Sequence, residues 1–174
     1  MEEPIWVEEF RGAYLRTRRA YEEGAGTPSE CISESDRRFL GEIGCSAQEL
    51  FDLVEDDVTM GEPGLELALR ITKVRWEYFQ QVERGKAPER MRRTSEFPPP
   101  GESLGNIPWL PRIIAKARSK LKGELPSELM YGCGGDRHFL REHGLAADAF
   151  LRAVWKAGNR DDAILEYVRR RGAV

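Results

Sequence analysis

The chain has 174 residues, 40% hydrophobic and 33% charged, enough for one ordinary domain or two small ones. No window approaches the ~18 apolar residues a membrane helix needs, and the acidic start Met1-Glu2-Glu3-Pro4 reads as neither a secretory signal nor a basic transit peptide. Net charge is −3, but residues 1–86 hold 19 acidic and 11 basic side chains (−8) and residues 87–174 hold 11 and 16 (+5), so opposite signs sit on the two halves. The three cysteines, Cys31, Cys45 and Cys133, are an odd count without metal-type spacing, as expected for reduced thiols in a cytoplasmic protein.

In chain order, Trp6, Phe10, Ala13, Tyr14, Thr17 and Tyr21 form one apolar stripe, which predicts a helix over 5–23. Gly24 to Pro28 breaks it. Ser33, with Asp36 three positions on, predicts a capping box and a short helix burying Phe39, Leu40 and Ile43 before Gly44. Ser46 and Glu49 form a second capping box, opening a helix through Leu50, Phe51 and Val54 that the carboxylates Glu55-Asp56-Asp57 should end as a solvated loop. That acidic run lacks the alternation, central Gly and distal Glu of a calcium loop.

The longest helix is expected from about 65 to 84, with Leu67, Ala68, Ile71, Val74, Trp76, Tyr78 and Val82 on its stripe. Residues 87–106, with Pro98-Pro99-Pro100, read as a semi-rigid linker without regular structure. Trp109-Leu110-Pro111 then opens a helix with Leu110, Ile113, Ile114, Ala117 and Leu121 inward, ended by Gly123. Phe150, Leu151, Val154 and Trp155 mark another helix. After Gly158, Asn159 is the expected cap of the last one, which packs through Ile164, Leu165 and Val168. Alternating β patterns are absent, so the expected fold class is all-α.

The second half also echoes the first. Ser35 to Gly44 and Gly135 to Gly144 agree at six of ten positions (Asp, Arg, Phe, Leu, Glu and Gly), which reads as an internal duplication. The expected architecture is two small helical units, 1–86 and 107–174, joined by the linker and arranged as a pseudo-dimer; a homodimer is the other arrangement the charges suit.

The run Leu110-Pro111-Arg112-Ile113-Ile114-Ala115-Lys116-Ala117-Arg118, followed by Leu121, Gly123, Glu128, Tyr131, Cys133, Asp136, Phe139-Leu140 and Gly144, resembles a bacterial family known only as domain of unknown function 5069. The resemblance covers about 105–171 and implies a small helical fold with no established reaction. It departs at Ala115, where that family has an acid, and at Gly134, where it has a proline. The first half looks like a diverged copy, with Ser33 in the place of Cys133 and Cys31 in that of Tyr131.

Cys133 is the sharpest chemical candidate. It stands where Ser33 caps a helix, so backbone N–H groups and the helix dipole should favour a thiolate, Arg137 adds positive charge, and Asp136 opposes it. His138 and His143 are five apart on one helix, on different faces, and with Cys133 fall short of a zinc set; no metal or other cofactor is expected. Gly132, Gly134 and Gly135 are too few, and follow no strand, for a dinucleotide fingerprint. The site expected is a small-ligand or anion site at this helix N-terminus, formed by Tyr131, Cys133, Asp136 and Arg137. The leading reading is therefore a non-enzymatic binding or interaction module, whose partner is a small ligand or a protein. The alternatives are a thiol-dependent enzyme or redox sensor using Cys133, and nucleic-acid binding through the basic helix Arg112–Lys122, which the pI of about 5.6 disfavours.

Overall fold

The computed structural model describes residues 3–172 and is mostly helical, with nine α-helices and one two-stranded sheet among those residues. The chain divides into two compact units, Met1–Ala87 and Pro88–Val174.

In the first unit, α1 (Trp6–Glu22) packs on α4 (Ala47–Met60) and α5 (Leu65–Gln81), with α2 (Pro28–Cys31) and α3 (Glu34–Glu42) between. Phe10, Ala13, Tyr14, Leu40, Leu50, Val54, Ala68 and Ile71 are buried at its centre, each large apolar side chain contributing about 1.5–3 kcal/mol. Ser33 Oγ accepts from Asp36 N–H at 3.1 Å, as the cap requires. The Asp36 carboxylate does not complete a capping box at the Ser33 backbone; it binds Arg16 on α1. The box at Ser46 and Glu49 is complete.

Glu55-Asp56-Asp57 does not end α4, which runs on to Met60. Asp57 falls on the same face as Leu50, Leu53 and Val54, and Tyr14 and Arg18 of α1 bind its carboxylate at 2.8 and 2.7 Å. α5 stops at Gln81, leaving Val82 exposed, and buries Arg75, whose Nε donates to the Gly44 carbonyl at 2.8 Å. Gly44 has φ +76°, and a Cβ there would meet the Phe79 ring at 2.6 Å, so only glycine fits.

In the second unit, the stretch read as an irregular linker contains a 3-10 turn at Thr94–Glu96 and a hairpin of β1 (Ser103–Leu104) and β2 (Ile107–Pro108), paired Ser103↔Pro108 and Leu104↔Ile107. Gly105 and Asn106, both at positive φ, make its two-residue turn. Side chains of this unit fix the proline run: Arg112 donates to Pro98 O at 2.8 Å, Arg92 to Glu96 O at 2.9 Å and Ser119 Oγ at 3.0 Å, and Phe97 is buried beneath the Arg92 guanidinium.

α6 (Leu110–Lys122) follows, then α7 (Gly134–Glu142), α8 (Ala147–Ala157) and α9 (Asp161–Gly172). α8 packs on both α6 and α9 over Leu110, Ile113, Ile114, Leu151, Val154, Ile164 and Val168. α9 starts at Asp161, with Ile164 N–H bonding Arg160 O, so Arg160 rather than Asn159 occupies the cap position.

Each unit holds internal contacts that recur in the other at positions shifted by one hundred. Arg16 binds Asp36 at 2.7 Å and Lys116 binds Asp136 at 2.6 Å. Arg37 donates to Ile32 O at 3.2 Å and Arg137 to Gly132 O at 2.8 Å. Cys45 N–H bonds Leu40 O, Leu145 N–H bonds Leu140 O, and Gly44 and Gly144 both have positive φ.

Candidate functional site

The glycine-rich turn Tyr131–Gly135 leads into α7, whose first helical residue is Gly134 and whose cap is Cys133. That first position tolerates proline, so the Gly134 departure leaves the helix start intact. At its centre lies the Asp136 carboxylate, wholly buried, which accepts from three donors: Lys116 Nζ at 2.6 Å, Trp109 Nε1 at 2.9 Å and Gly132 N–H at 2.9 Å. Lys116 is 2% exposed and also donates to Cys133 Sγ at 3.2 Å. A buried carboxylate and a buried ammonium each carry a heavy desolvation cost, which three donors and a short ion pair offset.

Trp109 is held at some cost. It caps α6 at φ +72°, a conformation worth about 1–3 kcal/mol of strain for a bulky residue. Its indole binds Asp136 and covers α7 so closely that a Cβ at Gly135 would meet the ring at 2.5 Å. Gly135 is therefore a packing requirement of the indole.

The four expected site residues divide into two groups. Cys133 and Asp136 meet at Lys116. Tyr131 and Arg137 brace the turn from within: Tyr131 donates to Ala147 O at 2.6 Å and Arg137 Nη1 to Gly132 O. Burial, with Asp136 nearby, holds the Tyr131 hydroxyl protonated well above the ordinary tyrosine range. Lys116 and Trp109 were not singled out by the sequence. The available signal was the pairing of a base with an acid twenty residues on in both halves, Arg16 with Asp36 and Lys116 with Asp136.

The basic helix Arg112–Lys122 does not present a cationic face. Lys116 and Lys120 are buried, Arg112 is bound to Pro98 O, and Arg118 to Gly158 O and Asp161. Of its five cations only Lys122 is exposed.

Beside the turn opens a cavity of about 370 Å³, walled by Pro100, Ile107, Pro108, Trp109 and Phe139 and rimmed by Asn106, His138, Glu142 and His143. Both histidines line it despite their five-residue spacing, because His143 lies past the end of α7 and stacks on Phe139 at 4.5 Å. His138 is 70% exposed and pairs with Glu142 at 3.4 Å. Among the described residues no group of three or more His, Cys, Asp or Glu side chains is placed to hold a metal, and no helix is long and apolar enough to cross a membrane.

Most of this unit matches a family model. Residues 94–174 match the family described as Domain of unknown function (DUF5069). The match takes in the 3-10 turn, the hairpin, the Lys116–Asp136 pair and the whole cavity wall. No curated protein and no solved structure matches the chain.

Proposed function

We propose that the second unit is a small-molecule binding module, and that its site is the cavity beside the glycine-rich turn. The observation that carries this is the wall itself: a pocket of ligand size, apolar on its sides, with convergent polar groups at one rim, is the usual form of a small-molecule site. The network behind it is rigid, so Trp109 is pre-positioned as one wall. The ligand class that suits it is a flat apolar body with a polar edge, the body between Trp109 and Phe139 and the edge at His138 and His143.

The same reading treats the first unit as a duplicated, diverged copy. The paired contacts one hundred residues apart support a common origin. The site's own residues are replaced there: Glu9, Ser35, Arg38 and Ile43 stand where Trp109, Gly135, His138 and His143 stand in the second unit.

The test is an amide-resolved NMR titration of the full chain with 2-naphthoate, an aromatic body with an anionic edge. Binding at the cavity shifts amides over 107–109 and 135–143, and Ile107→Ser weakens it. Shifts scattered over the first unit, or none, would end this reading.

A second reading, a thiol site, is favoured by one observation: Cys133 is half-buried rather than buried, with Lys116 Nζ donating to its sulfur. It stands if iodoacetamide modifies Cys133 ahead of Cys31 and Cys45 and Cys133→Ser removes the reactivity. Equal modification of all three thiols removes it.

A further inference from the structure

α8 and α9 form a second concavity, of about 470 Å³, on the second unit. Ala149, Arg152, Ala153, Lys156 and Ala157 line it from α8 at spacings of three and four, which places them on one helix face. Arg160, Ala163, Tyr167 and Arg171 line it from the other side. Four cations, Arg152, Lys156, Arg160 and Arg171, therefore face one groove, and no lining side chain is acidic.

This is a local reversal of sign on a chain of net charge −3. The corresponding positions of α4 in the first unit are Glu49, Asp52, Leu53, Asp56 and Asp57, so the basic character belongs to the second unit alone. Other cations of α9 are engaged elsewhere, Arg169 with Gly105 O and Arg170 with Glu166, whereas Lys156, Arg160 and Arg171 are exposed along the groove.

We propose that the α8–α9 groove binds a small molecule carrying two or more phosphate groups. Three arginines and a lysine match phosphate oxygens, arginine by its two-pronged donor geometry and lysine as a point charge. The alanine floor leaves room for the ligand and lets it approach the helix closely. Tyr167, half-buried with the Arg171 guanidinium 5.9 Å from its ring centre, offers a flat face for a ring attached to the phosphates. A long nucleic acid suits the site less well: the groove is bounded, and the protein's net negative charge opposes a polyanion that extends beyond it.

The experiment is calorimetric titration of the full chain with tripolyphosphate at low salt, with citrate and a short single-stranded RNA as comparison probes. Saturable binding at one site per chain is expected, weakened at least about tenfold by Lys156→Glu and by Arg160→Glu. Lys73→Glu, the same charge change at an exposed position of α5, should leave the affinity unchanged. Both groove lysine and arginine are exposed, so unchanged circular dichroism and melting certify the fold of each variant. The proposal is overturned by absent binding, by equal weakening in all three variants, by citrate binding as tightly as tripolyphosphate, or by RNA binding far more tightly than tripolyphosphate through the same residues.

Discussion

Removing the ammonium of Lys116 should cost the second unit more stability than any other single truncation on α6. Lys116→Met keeps an unbranched apolar stem, one heavy atom shorter, and deletes the ammonium with its hydrogen bonds to Asp136 and Cys133. It leaves the Asp136 carboxylate wholly buried with two N–H donors, from Trp109 and Gly132, and no counter-charge. Breaking a buried pair in this way costs about 3–5 kcal/mol. Lys116→Met with Asp136→Asn removes both charges and keeps an acceptor oxygen for one of the two donors, which bind different carboxylate oxygens, so its cost should fall short of the two single costs added together. The counterpart Arg16→Met gives the internal control: Arg16 is 59% exposed, and its loss should cost about 1 kcal/mol or less. Hydrogen exchange reads each unit separately, since the α6 and α7 amides report only on the second. There Lys116→Met should speed exchange by between about two and three-and-a-half powers of ten. A change under tenfold, or strict additivity in the double variant, would refute the view that Lys116 and Asp136 act as one buried unit.

Three further outcomes follow from the geometry. Gly135→Ala should lower stability by about 1–3 kcal/mol and alter Trp109 emission, because the added methyl meets a ring that the Asp136 bond holds in place; an unshifted melt with unchanged fluorescence would contradict it. Tyr131→Phe should cost about 1–2 kcal/mol in urea unfolding, since the buried hydrogen bond from its hydroxyl to the Ala147 carbonyl is lost; no cost would mean that water replaces the hydroxyl. Asp52 is pushed up to about 6 by burial, against the hydrogen bond from Gln48 and with help from nearby carboxylates. Its proton is held more tightly in the folded state than in the unfolded, so the stability it supplies below its ordinary pKa is lost as pH rises through 6. Asp52→Asn should therefore match the wild type near pH 4 and gain about 1–2 kcal/mol by pH 8, after discounting for partial exposure; a gap that does not change with pH would show that burial does not set this titration.

What the sequence made legible is what local chemistry decides. Apolar spacing located α1, α3, α4, α5, α6, α8 and α9, and the caps at Ser33 and Ser46 marked their helix starts. What it left hidden depends on partners far along the chain. Asp57 reads as the end of an acidic run because Tyr14 and Arg18, which bind it, lie on another helix. Lys116 reads as one of five surface cations because Asp136, Trp109 and Cys133 become its neighbours only on folding. The proline run reads as a spacer, since the fork of Arg92 and the reach of Arg112 to backbone carbonyls leave no periodic trace. Both histidines were legible as residues but not as neighbours, because a helix end between them brings round the one that spacing places on the other face.

The contrast between the two units supports the proposed site. Both hold an acid near the start of a nine-residue helix, Glu34–Glu42 and Gly134–Glu142, and a basic partner for it on the helix that opens at Trp6 or Leu110. In the first, the pair is Arg16–Asp36, with the arginine mostly in water and Ser33 capping in the ordinary way. In the second, the same position is buried, the cap is a cysteine that makes no cap bond, and a strained tryptophan closes over a glycine. Each of these changes works against stability taken alone: a buried charge pair, a lost cap and a left-handed tryptophan. The first unit holds its own acid–base pair without them. Their common effect is to fix the indole as a wall of the cavity that His138, Phe139 and His143 complete. A costly local arrangement that rigidifies one face of a pocket is what pre-organisation for a ligand demands.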